Sequence, residues 1–227
     1  MEKCRRTYLL AVALMAGLLL AFCGNALGTT HNAFWQMEDP TQLLDSSGNN
    51  NNGTTTNITG AVPGLVGNGY HFNGDSVATV PSSDSLNPGS ANITLTVPVK
   101  FTQPLSTAVG DYDLLRKGLA STPGGDYKME ILPRKNNTKA KAFCYFKDSS
   151  NTVGKIVNGP NLADGNWHTL SCTKTPTSVQ LTVDGTTYTN PVQLGSISNS
   201  APLTIGAKSG GGDWYSGDMD EVSVDIF

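Results

Sequence analysis

The sequence predicts an all-β fold of two stacked antiparallel sheets, and three observations carry that reading. Charged residues are only 15% of the chain while Gly contributes 25 and Pro 12, a profile of many short strands and turns rather than Glu- and Lys-rich surface helices. Apolar residues recur at every second position in one segment after another. The intervals between those segments leave no room for a helix of ordinary length. A chain of 227 residues, 38% of them hydrophobic, is enough for one domain with a proper core and excludes a multidomain assembly.

Taken in order, the first strand is expected at residues 33–37, Ala33-Phe34-Trp35-Gln36-Met37. Residues 45–56, dominated by Asn, Gly and Thr, read as loop, and apolar alternation resumes too soon afterwards for a domain boundary. Tyr70-His71-Phe72 and residues 77–80 flank a turn, Asn73-Gly74-Asp75-Ser76. Ile93, Leu95, Val97 and Val99 then alternate with Thr94, Thr96, Pro98 and Lys100. Because Pro98 has no N–H to give a ladder, that strand is expected at an edge or facing a bulge. Further strands follow at 127–132, 140–147, 168–173 and 179–183, the last closed by Asp184-Gly185, a pair that tolerates the positive φ angles of a type I′ hairpin. Residues 203–205 and 221–226 complete the series, with Val222, Val224 and Ile226 on one face and the final strand pairing back into the body of a sheet.

Residues 1–28 read as a secretory leader ahead of a domain at 29–227. Basic Lys3, Arg5 and Arg6 precede an apolar run over 8–22, and Ala26-Leu27-Gly28 offers small residues for cleavage. The run is shorter than the roughly twenty residues a spanning helix needs, so no stable membrane insertion is expected. Removing the leader leaves 12 Lys and Arg against 17 Asp and Glu, which argues against a nucleic-acid partner. It also removes Cys4 and Cys23, leaving Cys144 and Cys172 as an even pair in an oxidising compartment. Both lie on alternating faces with apolar neighbours, and a disulfide between them is the economical reading; two buried thiols are the alternative.

Several short motifs together resemble the laminin G-like, concanavalin A-like jelly-roll domains of secreted proteins. They are Trp35-Gln36-Met37-Glu38-Asp39, Asp45-Ser46-Ser47-Gly48, Phe72-Asn73-Gly74, Asp164-Gly165-Asn166-Trp167-His168, Val183-Asp184-Gly185, Pro202-Leu203-Thr204-Ile205-Gly206 and Tyr215-Ser216-Gly217-Asp218-Met219-Asp220-Glu221-Val222. They occur in the family's order across most of the mature chain. Pro98 departs from the pattern, standing where similar domains often carry Trp. The resemblance implies a calcium site joining Asp45, Asn73 and Asp220, a hard ion that needs six to eight oxygens. Against that, Asp45 and Asn73 serve equally well to fold turns, and Asp220 to end a strand.

Sugar recognition needs an aromatic face against C–H groups, with amides or carboxylates for the hydroxyls. Trp214 and Asp213, after the flexible Ser209-Gly210-Gly211-Gly212, are the candidate ligand-binding residues; the competing reading has Trp214 covering a sheet edge. Trp35, Trp167 and Tyr215 read as packing residues, and His168 as a core histidine with a satisfied hydrogen bond. Catalysis finds little support, because Asp218-Met219-Asp220-Glu221 lacks the spacing of a jelly-roll glycosidase and no nucleophile motif, zinc spacing or phosphate loop is present. The expected activity is binding of an extracellular carbohydrate or other ligand by a secreted protein. A protein-binding adhesion module is the main alternative, and a polysaccharide-cleaving enzyme a more distant one.

Overall fold

The computed structural model describes residues 30–101 and 110–227, except 135 and 137. The leader assigned to 1–28 lies outside the described residues. The strands are β1 (Ala33–Trp35), β2 (Thr54–Pro63), β3 (Asn68–Val80), β4 (Ile93–Lys100), β5 (Tyr112–Lys117), β6 (Asp126–Arg134) and β7 (Lys139–Lys147). They continue with β8 (Val153–Asn158), β9 (Trp167–Lys174), β10 (Ser178–Val183), β11 (Thr186–Pro191), β12 (Leu203–Ile205), β13 (Ser216–Met219) and β14 (Val222–Ile226). All pairings are antiparallel; eleven strands follow the order β11-β10-β9-β4-β13-β3-β12-β5-β6-β7-β8, with β14 pairing β4 and β1, and β2 pairing β3, and the two ends of that path fold over one another, bringing β7 and β8 against β9, β10 and β11. The result is the expected two-layer sandwich. No described helix is long and apolar enough to cross a membrane.

Alternation decides which face of each strand is buried. On β6, Tyr127, Met129 and Ile131 point inward; on β7, Ala140, Ala142, Cys144 and Phe146 do; on β9, His168, Leu170 and Cys172. Cys144 and Cys172 are joined by a disulfide across 28 residues. The two sulfurs belong to opposite layers rather than to neighbouring strands, so the bond crosses the core.

Three departures from strict alternation shape the molecule. First, β3 runs unbroken through the expected Asn73–Ser76 turn, which survives as an excursion: β2 partners jump from Thr56 opposite Val77 to Ile58 opposite Phe72. The Ser76 hydroxyl accepts the Asn73 N–H and closes the excursion. Second, β4 lies in the interior of a sheet despite Pro98. Its far side pairs with β14 over 93–96 and with β13 over 99–100, leaving Val97 and Pro98 opposite no strand. Between Met219 and Ser223 there is one residue more than between their partners Val99 and Thr96, a bulge at Asp220 and Glu221 with Glu221 at φ 51. Proline is tolerated where the bulge has already removed the ladder bond. Third, Leu114 is a bulge in β5, since Asp113 pairs with Glu130 and Leu115 with Met129.

The Asp184-Gly185 hairpin forms as expected, with φ of 49 and 80. Its aspartate is also one half of a clamp: His168 Nδ1 lies 2.7 Å from Asp184, and Nε2 lies 3.1 Å from Asp164 in the preceding turn. Burial opposes protonation of this imidazole, but hydrogen bonds to Asp184 and Asp164 outweigh it and raise its pKa above the ordinary 6.5.

Two stability measurements test this architecture. Replacing both Cys144 and Cys172 by Ala should cost roughly 3 to 4 kcal/mol in urea unfolding, the loop-closure term for a bridge of this span. The His168 contribution is fully present below the unfolded-state pKa and is lost as pH rises through the raised folded-state value. His168→Gln should therefore destabilise more near pH 5 than near pH 9, and a pH-independent cost would refute the clamp.

Candidate functional site

The bulge at Leu114 determines where charge collects. Without it Asp113 and Arg116, three residues apart, would point to opposite faces; with it both stand on the outer face of the β5–β8 sheet, opposite Glu130 and Lys128 of β6. Arg116 is the hub. Its guanidinium lies 3.0 Å from Asp113, 3.1 Å from Glu130 and 4.0 Å from Asp213. Lys128 also pairs with Glu130, and its ammonium sits over the rings of Phe143 (5.6 Å) and Tyr145 (5.4 Å). Lys208 holds Asp213 at 3.1 Å.

Beside this network the outer face opens into a groove of about 540 Å³, lined by Asp111, Lys128, Glu130, Leu132, Arg134, Phe143, Lys155 and Val157. Leu132, Phe143 and Val157 supply an apolar floor and the charged side chains its walls. Such a mixture of one aromatic surface with a few converging polar groups is what a saccharide requires.

The acids beneath the groove are strongly perturbed. Asp113 is fully buried, and among the described residues no well-aligned hydrogen bond reaches either of its oxygens. Burial raises its pKa above the carboxylate range; Arg116 opposes this and Glu130 reinforces it. Asp111 is pushed up to about 6 by burial and by the Glu130 and Asp213 carboxylates.

Of the expected ligand-binding residues, Asp213 reaches this network. It sits at φ 51 in its loop, its carbonyl accepts the Asp113 N–H, and its carboxylate touches Asp111, Arg116 and Lys208. Trp214 is half-buried outside the groove lining, its ring resting on Gly211, where a Cβ would come within 3.0 Å of Cζ2. Tyr215 and Trp35 are fully buried, as packing residues should be.

The three residues expected to hold calcium stand apart. Asn73 pairs with Ser216 and Tyr70 with Met219, so Asp220 lies about four residues, roughly 13 Å, along the sheet from Asn73. The Asp45 carboxylate is already filled by the N–H groups of Phe34, Ser47 and Asn51 and the Ser47 hydroxyl. Asn73 donates to the Asn57 carbonyl, and buried Asp220 accepts from the Val66 and Glu221 N–H groups. These bonds fold loops, and the set does not form one coordination shell; among the described residues no group of three or more His, Cys, Asp or Glu is placed to hold a metal.

Asp111, Asp113, Arg116, Lys128, Glu130 and Phe143 were not anticipated as site residues. A signal was present in the charge distribution: residues 126–158 carry seven Lys and Arg against three Asp and Glu, in a chain of net charge −3.

Residues 72–224 match the family model described as the concanavalin A-like lectin/glucanases superfamily. The chain belongs to that superfamily. No curated protein matches it in sequence. Among solved structures, the binding domain of paraclostridial mosquitocidal protein 1 superposes with a TM-score of 0.70 at 15% identity over 87% of this superfamily member and 49% of that chain. Domain 4 of AbnA, a GH43 extracellular arabinanase from Geobacillus stearothermophilus, in complex with arabinotriose, gives 0.62 at 16% identity over 87% and 94%. Mouse laminin alpha1 domains LG4-5 give 0.52 at 18% over 70% and 42%. The chain thus spans about half the length of the toxin binding domain, and at these identities the likeness is one of fold.

The raised Asp113 pKa sets a sign for stability. The folded state binds its proton where the unfolded chain has lost it, so stability falls as pH rises from the ordinary carboxylate range toward the folded-state value. Asp113→Asn, neutral at every pH, should melt close to the parent near pH 5 and above it near pH 9. A melting difference that does not grow with pH would mean the carboxyl is ionised in place.

Proposed function

We propose that this protein is an extracellular glycan-binding module without catalytic activity, and that the glycan lies in the outer groove of the β5–β8 sheet. The observation that carries the reading is the groove itself: Val157, with the exposed margins of the largely buried Phe143 and Leu132, gives it an apolar side, and Asp111, Lys128, Arg134 and Lys155 line it with groups for hydroxyls. The leader and the disulfide support export to an oxidising compartment. The arabinotriose complex of the arabinanase domain supports sugar binding on this fold. Asp213, in contact with Asp111, continues the site at that end, with Trp214 next to it in the chain.

Binding is favoured over cleavage by the state of the acids. Glu130 is engaged by Arg116 and Lys128, and Asp113 is sealed from solvent, so neither is poised to protonate or attack a glycosidic bond.

A glycan array, run with and without Ca²⁺, should show binding. Phe143→Ala should weaken it roughly tenfold by removing the apolar side of the groove and the seat of Lys128, and Trp214→Ala should weaken it with little change in melting temperature. Reducing-sugar release by the parent would replace binding with hydrolysis, and capture of an extracellular protein without any glycan signal would favour an adhesion module.

A further inference from the structure

We propose that the groove takes an anionic polysaccharide, a sugar polymer bearing carboxylate or sulfate groups at intervals; the inference rests on the glycan-binding reading and narrows it. The starting point is the charge segregation: residues 126–158 are net +4, while the remainder of the chain is net −7. Inward positions of β6 and β7 are apolar, so alternation puts Lys128, Arg134, Lys139, Lys141 and Lys147 on the outer face that holds the groove, and Lys155 of β8, opposite Tyr145, joins them there.

Some of the cations are already occupied. Lys147 pairs with Asp126, Lys128 with Glu130, and Lys141 donates to the Gly159 carbonyl. Arg134, Lys139 and Lys155 are exposed and form no ion pair among the described residues. Arg134 and Lys155 line the groove, with Phe143 and Val157 also in its lining.

The spacing of these free cations selects a polymer. Arg134 is level with Lys139 on β7, whereas Lys155 is level with Tyr145, six residues further along that strand. At strand rise this is about 20 Å, too far for one small anion to bridge. A chain of sugars laid along the strands meets Arg134 and Lys139 at one end and Lys155 at the other, with its rings over the apolar floor. The buried acids are compensated in place, Asp113 by Arg116 at 3.0 Å and Glu130 by two cations, which leaves Asp111 as the one further carboxylate in the groove lining against Arg134, Lys128 and Lys155.

The test is calorimetric titration of the protein with polygalacturonate and chondroitin sulfate, each beside an uncharged counterpart made by methyl esterification or by desulfation with carboxyl reduction. Binding of a charged polymer but not its counterpart is expected, weakening with added salt. R134Q/K155Q should lose roughly tenfold or more in affinity, whereas K100Q, which removes a cation paired with Asp218 away from the groove, should change nothing. Success with only one polymer distinguishes carboxylate from sulfate. If charged and uncharged polymers bind alike and R134Q/K155Q has no effect, the anionic inference falls while the glycan-binding reading stands. Equal losses in R134Q/K155Q and K100Q, or equal binding to single-stranded DNA, would reduce the effect to bulk charge and overturn it. Binding to no glycan of any kind would sink both.

Discussion

Every inward residue of the central part of β6 and β7 is apolar, and a strand has only two faces, so the charges those strands carry have a single place to go. This constraint organises the rest of the molecule. The inner face builds the core with Tyr127, Met129, Ile131, Ala142 and Phe146, and the outer face becomes a charged surface with Phe143 and Tyr145 embedded in it. Core and candidate site are thus two readouts of one alternating pattern.

Bulges supply what alternation cannot. The extra residue at Leu114 aligns Asp113 and Arg116 on one side and so creates the hub that orders Glu130 and Asp213. The extra residue at Asp220 and Glu221 opens the gap in which Pro98 sits without breaking a ladder bond. Both insertions are single residues with consequences several strands away, because each re-aims everything beyond it by one face.

Most of the sandwich was legible because its segments are period-two and bounded by turn residues: 93–100, 140–147, 168–173 and the Asp184-Gly185 hairpin are where the pattern puts them. The strands that escaped are those whose alternation is masked. β2, which begins at Thr54 within the stretch expected as loop, lies at a sheet edge and buries none of its residues; β5 is buried throughout and reads as neither period; β8 buries only Gly154; half of β11 is Thr; and β13 is four residues long. The site was less legible than the fold. Asp213 was found through its loop chemistry, but its partners Arg116 and Asp111 lie about a hundred residues earlier and meet it only through strand pairing. Asp45, Asn73 and Asp220 carry motif residues whose oxygen atoms and amides go to backbone partners, an assignment that no spacing in the sequence could have revealed.

The disulfide has a consequence for how the molecule would carry load. Phe143 and Tyr145 flank Cys144 on β7, so a force applied at the groove enters the protein at the residues adjoining the covalent link to β9. Tension is handed directly to the opposite layer, and the two layers cannot be peeled apart at that point without rupturing a sulfur–sulfur bond. Under shear the weakest route is therefore unzipping from an edge strand such as β2, which pairs only with β3 and lies outside the groove lining.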